Sequence, residues 1–261
     1  MLPQGFTCYH TSFPGTMDTA MLTAGFFFDL AAFAHGDIFR DNEWVWEPLK
    51  RLDDYLEAWF RSTPAGIHGQ VSDTARLHGE AIYIGPGTVV EDGATIHGPA
   101  IIGADCEIRQ GAYIRGNAVI GDRCVLGHAS ELKHSIMLDD AKAPHFAYVG
   151  DSILGNDVNL GAGTKLSNLT VSSIKDQQTG SRPTIHLLID DNRVDTGLAK
   201  LGAILGDHVQ TGCNAVTNPG TLIGKNTLVY PNTSVSKGYV VENSIVKLRQ
   251  ALTVVPRDQV G

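Results

Sequence analysis

The sequence predicts a mainly β fold, a solenoid of short stacked strands, and two periodic features predict it. An aliphatic residue recurs at every sixth position over ten positions: Ile84, Val90, Ile96, Ile102, Ile108, Ile114, Ile120, Leu126, Leu132 and Leu138. A usually small residue lies two positions before most of them: Thr88, Ala94, Ala100, Cys106, Ala112, Ala118, Cys124 and Ser130. Side chains two positions apart point to the same side of a strand. Each hexad is therefore expected to form a short strand with two inward side chains, followed by a turn, as in a repeat architecture.

The repeat is interrupted in the stretch KAPHFAYVGD, residues 142–151. The next aliphatic position would fall on Pro144, which is followed by His145 and two aromatic residues. We expect this segment to leave the ladder as a loop that carries His145 toward a neighbouring coil, because functional side chains are often placed on loops. The repeat resumes at Leu154, Leu160 and Leu166. After a polar excursion at 169–203 it returns at Leu205, Thr211, Thr217, Ile223, Val229 and Val235.

Three regions follow from this pattern. Residues 1–65 form an N-terminal segment with an amphipathic helix at 44–60, which we expect to cover the first coil. The helical spacing in it is set by Trp46, Leu49, Leu52, Leu56 and Phe60. Residues 66–238 form the solenoid, and residues 239–261 leave the hexad register and are expected to cap its open end.

Composition and charge exclude several classes of function. The chain has 261 residues and a formal net charge of −8, which argues against binding to nucleic acid. Its most apolar run, 20–34, contains Asp29 and is shorter than the roughly 20 residues of a membrane span. No signal peptide is recognisable, so a cytoplasmic protein is expected. The N-terminal region has no glycine-rich phosphate loop, so no nucleotidyltransferase activity is expected from this chain.

The four cysteines predict neither a metal site nor a redox site. Cys8, Cys106, Cys124 and Cys213 match no zinc or redox spacing. Cys106 and Cys124 are 18 residues apart, so they are expected to stack in neighbouring coils about 4.8 Å apart. We interpret them as two small buried hydrophobic residues.

A basic column is predicted at one corner of the solenoid. His97, Arg115 and Lys133 each follow an aliphatic position directly, in steps of 18 residues. Like charges at the separation of neighbouring strands repel by about 1 kcal/mol or more unless an anion lies between them. The column therefore favours a phosphate site, although three solvated turn residues would show the same spacing.

A longer stretch carries a family resemblance. The segment ELKHSIMLDDAKAPHFAYVGDSILGNDVNLGAGTKLSN, residues 131–168, closely resembles the acetyltransferase half of bifunctional N-acetylglucosamine-1-phosphate uridyltransferases and the related sugar-phosphate nucleotidyltransferase-like proteins. The resemblance extends over about 66–238. It implies a left-handed parallel β-helix of hexapeptide repeats with three hexads per coil, a homotrimer, and acetyl-CoA as co-substrate.

The resemblance also implies roles for particular residues. His145 matches the catalytic base. Asn168 and the backbone amide of Ala162 match groups near the acetyl transfer. The substrate-binding positions fall on Arg115, Lys133, Tyr148, Asn159 and Lys200, with Lys200 reaching the site from a neighbouring subunit. Cys213 and Pro231 stand where the family has a serine and a small residue near coenzyme A, so the wall that binds coenzyme A is altered.

These residue types suit acyl transfer to an amine, and two alternatives remain open. A histidine that titrates near neutrality can accept the proton of a sugar amine, and a fixed backbone N–H can stabilise the charge that develops on a carbonyl oxygen. The expected function is an acetyl-CoA-dependent N-acetyltransferase for an amino-sugar 1-phosphate, feeding nucleotide-sugar synthesis. The first alternative is a catalytically weak sugar-phosphate-binding or regulatory module that partners a separate nucleotidyltransferase. The second is a metal-dependent hydratase that uses His128, His134 and His145.

Overall fold

The computed structural model describes residues 22–189, 192–250 and 254, and its main body is a three-sided parallel β-solenoid. Face A consists of β1 (Gly66–Ile67), β4 (Ile82–Ile84), β7 (Ala100–Ile102), β10 (Ala118–Ile120), β13 (Ser135–Met137), β16 (Ile153–Leu154), β21 (Ala203–Leu205), β24 (Thr221–Ile223) and β27 (Gly238–Val240). Face B consists of β2 (Gln70–Val71), β5 (Val89–Val90), β8 (Glu107–Ile108), β11 (Val125–His128), β14 (Lys142–His145), β17 (Asn159–Leu160), β22 (Gln210–Thr211), β25 (Leu228–Val229) and β28 (Ile245–Val246). Face C consists of β3 (Arg76–His78), β6 (Thr95–His97), β9 (Tyr113–Ile114), β12 (Glu131–Lys133), β15 (Tyr148–Gly150), β18 (Lys165–Leu166), β23 (Val216–Thr217) and β26 (Ser234–Val235). The predicted mainly β solenoid of hexads is confirmed.

The predicted positions build the interior of the solenoid as far as Leu132, where the register shifts by one residue. The aliphatic series from Ile84 to Leu132 is buried in a single core. Ile120 then pairs with Met137, so this coil has 17 residues and Met137, not Leu138, points inward. Leu138 faces outward instead and packs in a second apolar cluster. The one-residue deletion explains why the hexad rule failed at the next position.

The expectation that 142–151 leaves the ladder as a loop is wrong. Ala143 takes the inward place, and Val149 follows it six residues later. β14 stays in face B between β11 and β17, and β15 stays in face C between β12 and β18. Pro144 therefore lies within β14, one position after the inward Ala143, and is not part of the interior core. His145 is held by a regular strand end, not by an expelled loop.

The N-terminal segment covers face A, not the first coil as expected. Its helices are α1 (Ala24–Phe27), a 3₁₀ turn (Gly36–Phe39), α2 (Glu47–Lys50) and α3 (Leu52–Ser62). Their apolar side chains pack against a row of outward residues on face A, namely Ile101, Val119, Ile136, Ile153, Ile204 and Leu222. The contact runs from the Trp59–Tyr83 ring pair to the Phe27–Tyr239 ring pair, with centroids 5.3 and 6.0 Å apart. One of the three faces is thus buried along most of its length.

The excursion at 169–203 supports the same face. It contains an antiparallel hairpin, β19 (His186–Ile189) and β20 (Asn192–Asp195). Ile185, Leu187 and Ile189 join the apolar cluster on face A. β16 pairs directly with β21 across the excursion, so the stack of coils continues without a gap.

The ladder also continues past residue 238. β27 and β28 pair with β24 and β25, and Val240 and Val246 extend the interior. The loss of register expected there is again a shift of one residue. The end of the expected cap, 251–253 and 255–261, lies outside the described residues. Within the described ranges, the helices are too short or too polar to cross a membrane.

Cys106 and Cys124 stack in neighbouring coils of the interior, as their spacing predicted. Both are buried free thiols, and each donates to a backbone carbonyl oxygen, of Gly121 and Leu138 respectively, at 3.0 Å. Burial raises the pKa of the Cys124 thiol. Cys213 is exposed, and Cys8 lies outside the described residues.

Candidate functional site

The basic column lies at the corner between faces C and A. Strand register places His97, Arg115 and Lys133 one above another, and Lys133 pairs with Gly150 in the next coil. The structure therefore brings the three predicted residues together. We call this corner, with Arg115, Lys133 and Gly150, the C/A column.

The charges of the C/A column are compensated within the chain. Arg115 donates to Glu131 at 2.7 Å, and the Lys133 ammonium lies 3.5 Å from the Asp151 carboxylate. The Glu131 hydrogen bond raises the pKa of Arg115. The repulsion that favoured a bound anion is thus already relieved by two carboxylates. An incoming phosphate would compete with Glu131 and Asp151 for these two cations.

Asp151 is a buried carboxylate on which several donors converge. Its Oδ2 accepts a hydrogen bond from the Asn168 amide and faces Lys133, while its Oδ1 lies 3.2 Å from Nδ1 of His134. Burial alone would raise the pKa of Asp151. The contacts with His134, Asn168 and Lys133 outweigh burial and hold the pKa below its usual value. Asp151 is therefore an anion at neutral pH.

Tyr148 and Asn168 meet above Gly150. A Cβ atom on Gly150 would lie 2.6 Å from the Tyr148 hydroxyl and 2.9 Å from the Asn168 amide nitrogen. A larger residue at this position would therefore displace the ends of these two side chains. Burial and the nearby negative charge of Glu131 raise the pKa of Tyr148, so its hydroxyl keeps its proton.

A shallow cavity of about 380 Å³ opens beside these side chains on face C. Its lining consists of Phe146, Tyr148, Lys165, Ser167, Asn168 and Leu169. Polar and aromatic groups line it together, as in sites that bind small polar ligands. The cavity lies between the C/A column and the corner between faces B and C.

The second group of predicted residues forms a column at the corner between faces B and C. Backbone hydrogen bonds link its coils: Gly163 N–H to His145 O, Asn214 N–H to Ala162 O, and Asn232 N–H to Cys213 O. His145, Ala162, Cys213 and Pro231 thereby stack along one edge of the solenoid, which we call the B/C column. Among the described residues, none accepts a hydrogen bond from the N–H of Ala162.

The His145 imidazole is exposed at the end of β14. It makes no hydrogen bond to any residue that the structure describes, and its ring lies 6.5 Å from the Phe146 ring. Phe146 is 55% exposed and has a left-handed backbone, φ 51°, which turns the chain from face B to face C. His145 can therefore accept a proton from a molecule bound over face C.

The other two histidines of the hydratase alternative do not join His145 in one site. His128 pairs with His145 on face B, and its Nδ1 donates to the Gln110 carbonyl at 3.0 Å. His134 lies across face C, between Asp151 and Asp53 of α3. Three convergent imidazoles, which a zinc site of that kind needs, are not formed within the described chain.

The two columns are separated by the width of face C. His145 and Gly150 are five residues apart, so their Cα atoms are separated by at most about 17 Å. Asn159 lies on face B, paired with Lys142 and Gln210, away from Tyr148 and Asn168. Lys200 precedes Leu201, whose N–H donates to the Asn168 carbonyl, so Lys200 is close to the C/A column of its own chain.

Sequence reasoning missed Glu131 and Asp151. Both bound the resembling segment: Glu131 opens the 131–168 stretch, and Asp151 closes KAPHFAYVGD. Two signals could have found them. Glu131 is two positions from Lys133, and so on the same side of a strand, and Asp151 comes directly after Gly150 in the column of Lys133.

Comparison with known proteins finds relatives of this chain by sequence. A model of the GMPPB C-terminal domain matches residues 96–179. The chain is 36% identical over 111 residues to the bifunctional sugar-1-phosphate nucleotidylyltransferase/acetyltransferase of Sulfurisphaera tokodaii, covering 42% of this chain and 25% of that protein. It is 35% identical over 121 residues to the bifunctional protein GlmU of Methanococcus vannielii, covering 46% and 27%. The chain thus spans about a quarter of the length of these two relatives.

One relative matches over most of its length. The uncharacterized acetyltransferase YaiX of Escherichia coli is 28% identical over 213 residues, 80% of this chain and 88% of that one. Among solved structures, UDP-N-acetylglucosamine acyltransferase of Francisella novicida has a TM-score of 0.42 at 15% identity, covering 66% of this chain and 60% of that chain. A likeness at that level carries no argument about function. By sequence, this chain is related to bifunctional sugar-1-phosphate nucleotidylyltransferase/acetyltransferases over part of their length, and its fold is a solenoid of hexapeptide repeats.

Proposed function

We propose that this chain transfers an acetyl group from acetyl-CoA to the amine of an amino-sugar 1-phosphate such as glucosamine 1-phosphate. The observation that supports this proposal most is the arrangement around face C. A free imidazole, His145, stands at one edge, and cations with an amide, Arg115, Lys133 and Asn168, stand at the other. The name of the Sulfurisphaera tokodaii relative, a sugar-1-phosphate nucleotidylyltransferase/acetyltransferase, agrees with a sugar-phosphate substrate.

The B/C column fits the co-substrate. The outward N–H of Ala162 has no acceptor among the described residues, and Cys213 is exposed one coil further on. Stacked coils that present outward N–H groups suit the extended, amide-containing arm of coenzyme A. Pro231 has no N–H, and its ring packs closely against Gly212, so the arm would have one donor fewer at that coil. Acetyl-CoA supplies the acetyl group there as a thioester.

The residues would then divide the chemistry as follows. Arg115 and Lys133 hold the sugar phosphate, and Tyr148 and Asn168 orient the ring over face C. His145 accepts the proton that the amine loses as its nitrogen bonds to the carbonyl carbon. The Ala162 N–H donates to the carbonyl oxygen as negative charge develops on it. The carbon–sulfur bond then breaks, and the sulfur leaves as free thiol with the proton that His145 had accepted. Fixed positioning of the amine next to His145 can supply several kcal/mol of the rate enhancement.

We further propose a homotrimer in which subunits share sites. Lys200 lies at the C/A column, across face C from His145 of its own chain. Face A is covered by the N-terminal segment and the hairpin, so faces B and C are left for contacts between subunits. A cyclic contact would bring Lys200 of one subunit to His145 and Asn159 of the next.

A binding or regulatory module is the second candidate, and two observations favour it. Arg115 and Lys133 are paired with Glu131 and Asp151 in the same chain, and this pairing weakens their attraction for a phosphate. Cys213 and Pro231 also change the wall proposed for coenzyme A. Such a module would keep sugar-phosphate binding and act on a separate nucleotidyltransferase.

An assay of thiol release separates the two candidates. Purified protein is mixed with acetyl-CoA and a panel of amino-sugar phosphates, with glucosamine and glucose 1-phosphate as controls that lack the phosphate or the amine. Release with the amino-sugar 1-phosphate and with neither control supports the enzyme. Calorimetric binding of the sugar phosphate without thiol release supports the module. Stoichiometric zinc in the purified protein would support the hydratase.

A further inference from the structure

We propose that Asp151 is a positioning residue, which with His134 and helix α3 holds Lys133 and Asn168 in place for the sugar phosphate. This inference rests on the proposed function for its effect on catalysis. Its structural part, the fixing of Lys133 by Asp151, can be tested without turnover. None of Asp151, His134 and Asp53 matches a position to which the resemblance gives a role.

The geometry gives Asp151 a single set of partners. Its carboxylate is buried, and its backbone is anchored on both sides: its N–H donates to Lys133 O at 3.0 Å, and Gly202 N–H donates to its carbonyl at 2.8 Å. A buried carboxylate must be paired, because the cost of leaving it without partners is large. Here the partners are Lys133, Asn168 and His134. The carboxylate therefore cannot turn away from them without losing its compensation.

Asp151 also decides which way the Asn168 amide points. A carboxylate oxygen only accepts, so the NH₂ of Asn168 faces Asp151. The same NH₂ group, and not the carbonyl oxygen, lies next to the Tyr148 hydroxyl above Gly150. With a neutral amide at 151, the Asn168 side chain could flip and exchange donor for acceptor. A substrate group that pairs with the Asn168 amide would then face a donor in place of an acceptor, or the reverse.

His134 connects this arrangement to the N-terminal segment. Its Nδ1 lies 3.2 Å from Asp151 Oδ1, and its Nε2 lies 3.6 Å from Asp53 Oδ1 in α3. Nδ1 is buried and makes no regular hydrogen bond to a described residue, so Asp151 is its nearest acidic neighbour without a firm bond to it. A ring between two carboxylates of different elements keeps α3 against the corner that carries Lys133. This contact, together with the burial of apolar side chains, therefore favours the position of helix α3 on face A.

The chain contains a matched control at another corner. Asp207 is also buried, and it accepts from the backbone N–H groups of Asp29 and Asn156 and from the Asn156 amide, at 2.7 to 3.0 Å. Its Oδ2 lies 3.6 Å from the Lys225 ammonium. This corner lies between faces A and B, away from both columns. Asp207→Asn removes a similar structural charge but no contact of the candidate site.

The kinetic test compares Asp151→Asn, Asp207→Asn and the unaltered protein. We expect Asp151→Asn to raise the KM for the amino-sugar phosphate about tenfold or more, while the KM for acetyl-CoA changes by less than about twofold. Asp207→Asn should leave both KM values unchanged, whatever it does to thermal stability. Equal effects of the two variants on the sugar-phosphate KM would overturn the positioning role. If Asp151→Asn does not fold, His134→Gln is used, for which a smaller rise in the same KM is expected and an unchanged KM contradicts the proposal.

A second measurement needs no activity. Reductive methylation followed by mass spectrometry reports how readily each lysine reacts in the folded protein. Asp151→Asn should increase the labelling rate of Lys133 about threefold or more and leave Lys225 unchanged, since each lysine loses restraint only with its own partner. Asp207→Asn should do the reverse. Unchanged labelling of Lys133 refutes the positioning role. Increased labelling in a protein that shows no turnover refutes the proposed function and supports the restraint of Lys133 by Asp151.

Discussion

The N-terminal segment should make the stability of the fold depend on pH through His35. This residue is buried among the rings of Phe33, Tyr55 and Trp59, and its Nδ1 lies 2.8 Å from the Tyr55 hydroxyl. Burial lowers its pKa from 6.5 to about 4, and the negative charge of Asp122 offsets burial only in part. The neutral ring is therefore favoured in the folded protein.

The size of the effect follows from linkage. Below pH 6.5 His35 is protonated in the unfolded chain, whereas in the folded chain it becomes protonated only near pH 4. The contribution is thus fully present above pH 6.5 and is lost as the pH falls toward 4. Between about pH 7.5 and about pH 4.5 the loss amounts to about 2.5 kcal/mol, because each pKa unit corresponds to about 1.4 kcal/mol.

The assay is urea unfolding followed by tryptophan fluorescence, at both pH values, for the unaltered protein and His35→Gln. Other groups also titrate over this range, so the informative quantity is the difference between the two proteins. The free energy of unfolding of His35→Gln should fall by about 2.5 kcal/mol less than that of the unaltered protein. His208→Gln removes an exposed histidine and should change the pH dependence by less than about 0.5 kcal/mol. Parallel pH profiles for the unaltered protein and His35→Gln would refute the reasoning.

Three further predictions concern the site and the assembly. Lys133→Ala should raise the KM for the phosphorylated amine and spare acetyl-CoA, because it removes a cation that faces the phosphate; an equal loss with glucosamine lacking the phosphate, measured in the same assay, contradicts this. Gly150→Ala should lower kcat/KM about tenfold or more by displacing Tyr148 and Asn168, whereas Gly25→Ala, where a Cβ meets nothing within 4 Å, should not; similar kinetics of both variants would exclude the steric role. Mixing His145→Ala with Lys200→Ala subunits should restore part of the activity, and sedimentation should show a trimer; a fully active monomer, or no complementation in mixed trimers, would exclude the shared site.

Most of the solenoid could be predicted because the interior admits one kind of residue at regular intervals. The register after Leu132 could not, because Met137 and Leu138 are both apolar and a rule of six selects the wrong one. The cover on face A did leave a signal. On that face an apolar residue lies between the two inward positions in successive coils, as with Ile101 and Val119. Reading that row would have placed the N-terminal helices along the side of the solenoid.

The candidate site was predictable in composition more than in arrangement. The spacing of Arg115 and Lys133 was sufficient to place them in one column, because one coil is one repeat of the ladder. Their pairing with Glu131 and Asp151 depends on side-chain directions that spacing does not specify. The loop expected around His145 was wrong, since a deletion of one residue keeps this residue in a strand.

The central claim is that His145 takes the proton from the amine of an amino-sugar phosphate during acyl transfer, and product analysis tests it most directly. Protein, isotopically labelled acetyl-CoA and glucosamine 1-phosphate are incubated, and mass spectrometry quantifies the N-acetylated sugar phosphate. The account predicts amide product with the unaltered protein and about a hundredfold less or lower with His145→Ala, whose circular dichroism should be unchanged. His128→Ala, the neighbouring histidine in the same ladder, should retain most of the activity. Equal product from the unaltered protein and His145→Ala, or no product from the unaltered protein with any amino-sugar phosphate, would contradict the account.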